Sequence, residues 1–356
     1  MNYNAADLEA LTARIFVHAE SNPDEAATIA RHLVGANLVG HDSHGVIRIS
    51  RYVGYWREGK VHANQGASVA FETDSLALVD GHRGYGQPIG EQAVRIGIDK
   101  ARRSGIAMVG LRDVGHIGRV GDWAEMAADA GQVSLHFVGT TGIGVMVVPF
   151  GGSDRRLSPC PLAIGIPRRG QPPVILDITT SMVAEGKVFV AKNKGASLPD
   201  GWIVDKNGRP SNDPDDLYAG GALLPFGGHK GSGLCIITDL LAGALTGAGC
   251  SQRREPVMIN TMCSIYIDPD KLPDRAGFEA ETEAFLAWVK GSPPAEPDGE
   301  VLLPGEIERR TRAKRLRSGI PLDDTTITEM TEAALSLGMA QAEVERRLAD
   351  ARREVA

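Results

Sequence analysis

The stretch from His41 to Arg48, His-Asp-Ser-His-Gly-Val-Ile-Arg, places groups for acid–base chemistry and anion binding close together. Apolar residues then recur at helical spacing, so we predict a helix over 43–58 with Ser43 as its N-cap. His44 and Arg48 lie one turn apart in such a helix, and a proton donor and a cation share one face. This pair suits a small substrate that carries a carboxylate beside a carbonyl. An ordinary cap at Ser43 and a solvated arginine at position 48 are the alternative.

The rest of the chain, on which this stretch depends for its position, is predicted to be helical at both ends and rich in strands between them. Helical periodicity predicts helices over 5–19, 24–38, 89–104 and 234–246, helices ending near 130 and 191, and a charged helical tail from 306. Short apolar runs broken by Gly and Pro predict strands over 68–80, 106–111 and 133–178. The intervening residues 195–226 are rich in turns, and 291–299 resemble a surface linker.

Length, charge and cysteine content restrict the class of protein. A chain of 356 residues predicts two domains, or one domain with a large insert. The net charge of −7 argues against nucleic acid or an anionic membrane as a partner. No apolar run is long enough for a bilayer, and no signal-peptide pattern opens the chain. The four cysteines are scattered, so we expect a cytoplasmic protein with reduced thiols and no cysteine metal site.

A glycine-rich segment, Gly84-Tyr-Gly-Gln-Pro-Ile-Gly90, follows a strand-like run and opens a helix, as the phosphate turn of a Rossmann dinucleotide site does. The spacing differs from that fingerprint, because it reads G-x-G-x-x-x-G and Pro88 lies inside the turn. The acidic residue Asp113 also arrives later than the fingerprint requires. This pattern favours a tight turn with close helix packing over a Rossmann site.

A second glycine-rich segment, Gly227-Gly-His-Lys-Gly-Ser-Gly233, has the properties of an anion site. Glycines allow close approach of the backbone, free N–H groups face outward at a helix start, and Lys230 adds charge. The segment is not a Walker A motif, since the lysine precedes its Gly-Ser pair. It suits a pyrophosphate or a 2′-phosphate, and a glycine-rich turn with a solvated lysine is the alternative.

Three further polar residues lie in or at the ends of apolar runs. His116 follows an apolar strand, where reactive groups often collect, although a hydrogen-bonded structural histidine is the alternative. Asp177 ends another apolar strand and could orient a histidine, hold a hydroxyl or cap a helix. His136 lies inside a strand-like run, and we interpret it as structural.

Two other kinds of site find little support. A serine hydrolase built on Ser43, His44 and Asp177 lacks the G-x-S-x-G elbow. A metal site would have to draw on His41, His44, His116 and Asp177, but no spacing among them is typical of metal ligands. We therefore predict no metal site.

The order of the motifs along the chain is more specific than any one of them. The set comprises Ser43-His-Gly-Val-x-Arg48-x-x-x-Tyr52, Gly115-His-Ile-Gly118, Val148-Pro-Phe-Gly-Gly152, Leu162–Pro167, Asp177-Ile-Thr-Thr-Ser181, Gly201–Pro210, Leu224–Leu234, Leu241–Gly247 and Pro304-Gly-Glu306. With this set the chain resembles the type-2 malate/L-lactate dehydrogenase family, which is separate from the Rossmann-fold lactate and malate dehydrogenases. The runs Gly115–Glu125 and Ser134–Phe137 look most like its 2-hydroxycarboxylate dehydrogenase B branch.

The resemblance implies an α/β (α+β) fold of the non-Rossmann malate/L-lactate dehydrogenase type. A central domain with a largely antiparallel or mixed sheet, over 119–305, would bind NAD(P). It would be inserted into a helical and mixed substrate and dimerisation domain, formed by 1–118 and 306–356. The resemblance further implies a homodimer with its active site near the subunit interface.

The resemblance also implies a reaction, hydride transfer between NAD or NADP and a malate- or lactate-like 2-hydroxy or 2-oxo acid. His44 would donate the proton, held by Ser43 and Asp177, while Arg48 binds the substrate carboxylate and His116 lines the nicotinamide pocket or serves as the alternative acid/base. The implied cofactor contacts are His116, Ile117, Gly118, Arg119, Val120, Asp177, Thr179, Thr180, Ser181, His229, Lys230, Pro304, Gly305 and Glu306. The choice between NAD and NADP and the identity of the acid stay open.

The chain departs from the family pattern at Ser158-Pro-Cys-Pro161, where relatives usually carry Gly-Thr-Asn-Pro. A lysine that some members place after the 133–138 strand also has no clear match, since Thr140 and Thr141 lie there. Two alternative functions therefore stay open beside 2-hydroxy acid dehydrogenation. One is reduction of a cyclic imine carboxylate, and the other is a non-catalytic NAD(P)-binding dimer.

Overall fold

The structure, a computed structural model, describes residues 1–193, 195–252 and 257–353. Its helices are α1 (Ala5–His18), α2 (Pro23–Leu38), α3 (Ile49–Arg57), α4 (Gly86–Ser104), α5 (Gly121–Asp129), α6 (Glu185–Asn193), α7 (Pro214–Tyr218), α8 (His229–Asp239), α9 (Arg275–Lys290), α10 (Glu306–Ser318), α11 (Asp324–Ser336) and α12 (Gln341–Ala351). Its strands are β1 (Asn2–Tyr3), β2 (Ser68–Glu72), β3 (Leu76–Asp80), β4 (Ile106–Val114), β5 (Val133–Thr141), β6 (Leu162–Ile166), β7 (Val174–Ile178), β8 (Ile203–Val204), β9 (Pro210–Ser211), β10 (Ala222–Leu223), β11 (Ile259–Ile267), β12 (Ile320–Pro321) and β13 (Arg352–Arg353).

A large mixed sheet forms the centre of the molecule. Within the described ranges it contains seven strands, in the order β2-β3-β4-β11-β5-β6-β7. Only the neighbours β3 and β4 run parallel in this sheet, and its other pairs are antiparallel. The predicted mixed, largely antiparallel and non-Rossmann sheet is therefore confirmed. The sequence pattern did not predict β11, which is buried along most of its length and so lacks the alternation of a half-exposed strand.

The glycine-rich turn before α4 serves helix packing. The helix begins at Gly86, three residues earlier than the periodicity predicts. A Cβ at Gly86 would lie 2.2 Å from the carbonyl oxygen of His116, so only glycine lets α4 approach that loop. The close-packing interpretation of Gly84–Gly90 agrees with this contact, which places α4 directly behind His116.

Both ends of the chain build one hydrophobic core. Side chains of α1, α2, α3, α11 and α12 pack together there, among them Leu11, Leu33, Val53, Met330 and Leu348. The first strand, β1, also pairs with both β12 and β13. The helices that flank the His41–Arg48 stretch therefore rest on residues from the far end of the chain.

A second core lies between the large sheet and helices α4 and α5. A smaller core lies under α6, which falls on the helix predicted to end near 191, and under β8, β10 and α7, which lie in the part that the sequence pattern describes as turns. The large sheet takes strands from both sides of position 118, and the division into two domains stays a prediction. Across the described ranges, none of the helices combines the length and apolar composition needed to cross a membrane.

Candidate active site

The predicted helix over 43–58 is wrong in its first part. Two 3-10 turns, Asp42–His44 and Val46–Arg48, precede α3, and the extended residue Gly45 separates them. The side chain of Ser43 is not a helix cap, and its Oγ lies 3.0 Å from Nδ1 of His44 instead. The chain deviates from an α-helix because the backbone N–H of Val46 donates to a side chain, Oδ1 of Asn37, at 2.9 Å.

His44 and Arg48 nevertheless face one cavity, as their spacing suggested. The cavity has a volume of about 260 Å³. Its polar lining comprises Ser43, His44, Arg48, Arg51, His116, Thr140, Thr179, Glu185 and Asn260. Its apolar lining comprises Ile117, Val120, Val138, Ile143, Met146, Pro159, Pro161, Ala184 and Met258. The cavity therefore has both the charges that bind a small polar molecule and an apolar wall.

Two imidazole rings stack at the polar end of the cavity. The ring centroids of His44 and His116 lie 5.4 Å apart, with 24° between the ring planes. The hydroxyl of Tyr52 lies 2.6 Å from Nδ1 of His116, and Nε2 of Gln87 donates to that hydroxyl at 2.9 Å. Each ring therefore has a hydroxyl at its Nδ1, from Ser43 or Tyr52, and its Nε2 is left for other partners.

Burial and neighbouring cations keep both rings neutral. Burial lowers the pKa of His44 from 6.5 to about 3, and the Arg48 cation acts in the same direction. Burial likewise lowers the pKa of His116 well below its ordinary value, again with a contribution from Arg48. Burial raises the pKa of Tyr52 to about 12, so its phenol stays protonated. At neutral pH the free protein thus holds two imidazoles that can accept a proton.

Arg48 presents its guanidinium to the cavity. Its Nε donates to the carbonyl oxygen of Ser43 at 2.5 Å, which fixes the side chain against the turn. Among the residues that the structure describes, its two Nη groups have no hydrogen-bond partner. Burial lowers the pKa of Arg48, but a guanidinium keeps its charge in proteins. These free donors are suited to bind a carboxylate in bidentate fashion.

Asp177 does not hold the ring of His44, contrary to the predicted geometry. Its Oδ2 accepts the backbone N–H of Gly121 at 3.0 Å, and it lies 3.4 Å from Nε of Arg119. It also lies 3.9 Å from Nδ1 of His41. The start of α5 and a buried cation attract this carboxylate, so its contacts within the described ranges do not include His44.

The guanidinium of Arg119 is occupied by protein carboxylates. It lies 2.8 Å from Asp122 and 2.8 Å from Glu125, in addition to Asp177. Burial acts to lower the pKa of Arg119, but the Asp122 and Glu125 carboxylates outweigh it and raise the pKa. The Arg119 side chain does not line the cavity, whereas its neighbours Gly118 and Val120 do, and its contact with a cofactor stays a prediction.

The other predicted cofactor residues divide into two groups. Thr179 lines the cavity, and Thr180 lies behind it with its hydroxyl bonded to the carbonyl of Pro159 at 2.6 Å. Residues outside this cavity are Ser181, His229, Lys230, Pro304, Gly305 and Glu306. His229 and Lys230 are exposed at the start of α8, and Glu306 forms an ion pair of 2.7 Å with Lys290.

The unusual segment Ser158–Pro161 forms part of the apolar wall. The proline rings at 159 and 161 line the cavity. Cys160 is buried with a left-handed φ of +35°, and its Sγ lies 3.2 Å from Oγ of Ser158. In this chain the segment therefore contributes apolar surface to the cavity in place of amide or hydroxyl donors.

Sequence reasoning missed two side chains of the site. Oδ1 of Asn260 accepts the N–H of Ile117 at 2.9 Å, and its Nδ2 donates to Oγ1 of Thr140 at 2.8 Å. Asn260 therefore ties the loop after His116 to the sheet, and it lies on β11, which the pattern did not predict. Glu185 accepts a hydrogen bond of 3.0 Å from Tyr218 and places a carboxylate at the cavity.

His136, interpreted as structural, is buried and lies 2.9 Å and 3.0 Å from the hydroxyls of Ser264 and Ser134. Over the described ranges, no group of three or more His, Cys, Asp or Glu side chains is arranged to hold a metal ion. The chemistry that the cavity itself offers is anion binding by Arg48 and proton transfer by two imidazoles.

Comparison with known proteins gives a consistent result. The family model for malate/L-lactate dehydrogenase matches residues 3–331. Hydroxycarboxylate dehydrogenase B of Escherichia coli (strain K12) is 40% identical over 346 residues, which cover 95% of this chain and 94% of that protein. The solved structure of a candidate malate/lactate dehydrogenase from E. coli has a TM-score of 0.95 at 38% identity, covering 99% of both chains. That of delta1-piperideine-2-carboxylate reductase from Pseudomonas syringae has a TM-score of 0.82 at 31% identity, covering 94% of this chain and 99% of the other. The chain belongs to the malate/L-lactate dehydrogenase family and is an oxidoreductase.

Proposed function

We propose that this protein interconverts a malate- or lactate-like 2-hydroxy acid and its 2-oxo acid with a nicotinamide cofactor. One observation carries the proposal: two neutral imidazoles and the free Nη groups of Arg48 face one cavity that has an apolar wall. A 2-oxo acid needs a cation for its carboxylate, a hydrogen-bond donor for its carbonyl and a group that exchanges a proton with its oxygen. The cavity supplies all three.

Arg48 binds the substrate carboxylate. Its Nε is fixed on the carbonyl of Ser43, so the Nη groups approach the substrate in a preset orientation. Arg51 lines the same cavity and adds a second positive charge. Binding an anion here compensates the Arg48 charge, which removes one cause of the low pKa of His44. Substrate binding therefore makes protonation of His44 easier.

The two histidines take different roles. The protonated phenol of Tyr52 donates to Nδ1 of His116, which leaves the proton of that ring on Nε2. His116 can then donate a hydrogen bond to the substrate oxygen without changing its charge. His44 transfers the proton, accepting it when a hydroxy acid is oxidised and donating it when an oxo acid is reduced. His116 stays the alternative acid/base.

The residues present fit a nicotinamide ring. The cavity lining includes the apolar side chains of Pro159, Pro161, Val138 and Ile117, and Thr179 adds a hydroxyl group. Such a cofactor, when bound, supplies or accepts the hydride in this chemistry. The wall excludes water from the reacting carbon, and the histidines hold the substrate oxygen.

We further propose that the protein acts as a homodimer. Four apolar side chains of α8 and the turn that follows it, Ile236, Ile237, Leu240 and Leu245, are between 43% and 55% exposed. Apolar patches of this kind favour an interface. Light scattering on the purified chain measures its mass, and a monomer would contradict this part of the proposal.

The decisive experiment follows oxidation of NADH and of NADPH in the presence of a panel of 2-oxo acids. We expect turnover with at least one acid, and the ratio between cofactors gives the preference. His44→Ala should lower that turnover by about 10²- to 10⁴-fold, the usual contribution of a general acid. Arg57→Ala, at an exposed arginine outside the cavity, is the matched control. Cofactor binding without turnover across the panel would instead indicate a non-catalytic NAD(P)-binding protein.

Reduction of a cyclic imine carboxylate is the second candidate. The similarity to delta1-piperideine-2-carboxylate reductase favours it, and Arg48 would bind the carboxylate in the same way. The proton donor would then face a nitrogen atom. Mass spectrometry of the product distinguishes the two reactions, because one gives a cyclic amine and the other a hydroxy acid.

A further inference from the structure

The turn that carries Ser43 and His44 is held from outside by a side chain of α2. Asn37 is buried, and its Nδ2 donates to Oδ1 of Asp42 at 2.7 Å. Its Oδ1 accepts the backbone N–H of Val46 at 2.9 Å. One amide therefore binds the turn on both sides of His44, two residues before it and two residues after it.

The backbone beside His44 lies directly against this amide. A Cβ at Gly45 would lie 2.2 Å from Oδ1 of Asn37 and 2.4 Å from its Nδ2. Contact this close leaves the His44–Gly45 peptide little freedom to shift toward α2. The amide of Asn37 thus acts both as a hydrogen-bonding partner and as a steric support.

A cation from the far end of the chain holds the same turn. Arg315 on α10 contacts both carboxylate oxygens of Asp42, at 2.6 Å and 3.0 Å. Arg315 also donates to the backbone carbonyl of Asn37. Asp42 is therefore fixed by an amide and a guanidinium, and its own position fixes the start of the turn.

We propose that Asn37 is a positioning residue that holds the His44 imidazole in register with His116 and Arg48. The inference rests on the proposed function, in which His44 exchanges a proton with the substrate. Asn37 is not among the residues that line the cavity. It acts through the backbone on either side of His44. Arg48 is also bonded to this turn, through its Nε and the carbonyl of Ser43, but its backbone continues into the buried start of α3.

The substitution Asn37→Ala removes both hydrogen bonds. We expect kcat to fall by about ten- to a hundredfold, as for a small displacement of a catalytic group, with a smaller rise in KM. Glu25→Ala is the matched control, because Glu25 is another buried polar residue of α2 that accepts a backbone N–H, that of Asn64, at 2.9 Å. If Glu25→Ala lowers kcat equally, or if Asn37→Ala retains the wild-type kcat, the inference is overturned.

A second pair of variants, in which residues 37 and 42 exchange the roles of donor and acceptor, tests the inference if Asn37→Ala fails to fold. Asn37→Asp still accepts from Val46 but sets two carboxylates face to face at Asp42, so we expect the same fall in kcat. The double substitution Asn37→Asp with Asp42→Asn restores a donor and an acceptor with exchanged roles. Because Asp42→Asn alone weakens the contact with Arg315, it is the second reference. A folded double variant with a higher kcat than either single variant supports positioning, and one that is no faster than the slower single variant contradicts it.

A chemical readout separates this inference from the proposed function. Diethyl pyrocarbonate modifies accessible neutral imidazoles, and mass spectrometry reports its rate at His44 in the full chain. We expect faster modification of His44 in Asn37→Ala than in the wild type or in Glu25→Ala. An unchanged rate overturns positioning even if the wild-type protein shows no turnover, whereas absent turnover with a raised rate contradicts only the proposed function.

Discussion

The phenol oxygen of Tyr52 lies 2.6 Å from Nδ1 of His116, and Gln87 donates to that oxygen from the other side. Because Gln87 already donates to this oxygen, we propose that the phenol proton points at Nδ1 and not at the backbone carbonyl of His116, which is farther away at 3.4 Å. The relation sets which nitrogen of His116 carries hydrogen. A residue beside the cavity thus decides whether His116 presents a donor or an acceptor to the substrate.

Tyr52→Phe should lower kcat/KM by about tenfold, which corresponds to losing one hydrogen bond of about 1.4 kcal/mol. The His116 ring can then adopt either tautomer, and only one presents a donor. Tyr85→Phe is the control, since Tyr85 lies 6.3 Å from Tyr52 between ring centroids but its buried hydroxyl has no partner in the described structure. Steady-state kinetics should show no change there. Equal effects of the two substitutions would contradict the tautomer argument.

Arg48→Ala should act mainly on KM for the acid. A charged hydrogen-bonding contact contributes about 1.5–3 kcal/mol, so KM should rise by roughly 10- to 150-fold. Arg48→Lys keeps the charge but cannot bind a carboxylate in bidentate fashion. We therefore expect its KM to lie between those of Arg48→Ala and the wild type. Initial rates over a range of acid concentrations check this. An unchanged KM in both variants would exclude Arg48 as the carboxylate ligand.

The pH dependence should reflect the neutral histidines. Burial and the Arg48 cation lower the pKa of His44 to about 3. The protonated imidazole is therefore the minor form of His44 at every pH above that value. For reduction, which needs that proton, kcat/KM should fall by about tenfold per pH unit from pH 6 to 9. For oxidation, which needs the neutral ring, kcat/KM should show no loss from this group down to pH 5. An inflection near 6.5 in either profile would contradict the lowered pKa.

Gly186→Ala should disturb the site by a steric clash, although it removes no polar group. A Cβ there would lie 2.6 Å from Cβ of Ser43, so α6 or the Ser43 turn must shift. We expect kcat/KM to fall while the protein stays folded. Gly35→Ala is the control, because a Cβ added there would meet no atom within 4 Å and helix propensity favours alanine by about 0.5–1 kcal/mol. Kinetics and thermal unfolding of both variants test this prediction.

The sequence predicted which groups meet, but not how the turn that carries them is built. Residue type and spacing indicated Ser43, His44 and Arg48, the family resemblance added His116, and the structure brings all four to one cavity. The N-cap role of Ser43 was wrong because the Val46 N–H is bound by a side chain nine residues earlier. Helical periodicity describes local spacing and carries no information on such a contact.

The charges of Arg119 and Asp177 did not predict which partners these side chains have in the structure. Arg119 and Asp177 have the residue types of a phosphate ligand and a histidine partner, yet they lie 3.4 Å apart and both are bound to groups of α5. Only the tertiary arrangement shows that Asp122 and Glu125 also face this cation. Asn260 was not predicted as a site residue, because it lies on a strand that is buried on both faces and was not predicted either.

The core shared by the two chain ends also has a consequence that we expect during synthesis of the protein. His44 leaves the ribosome early, but its turn needs Arg315, and the helices beneath it need Leu348 and Ala351. The strand that contains Tyr3 likewise pairs with Ile320 and Arg352, which are synthesised much later. We therefore expect a nascent chain to contain the candidate catalytic side chains before it can assemble the site, and we expect removal of α12 to lower the activity.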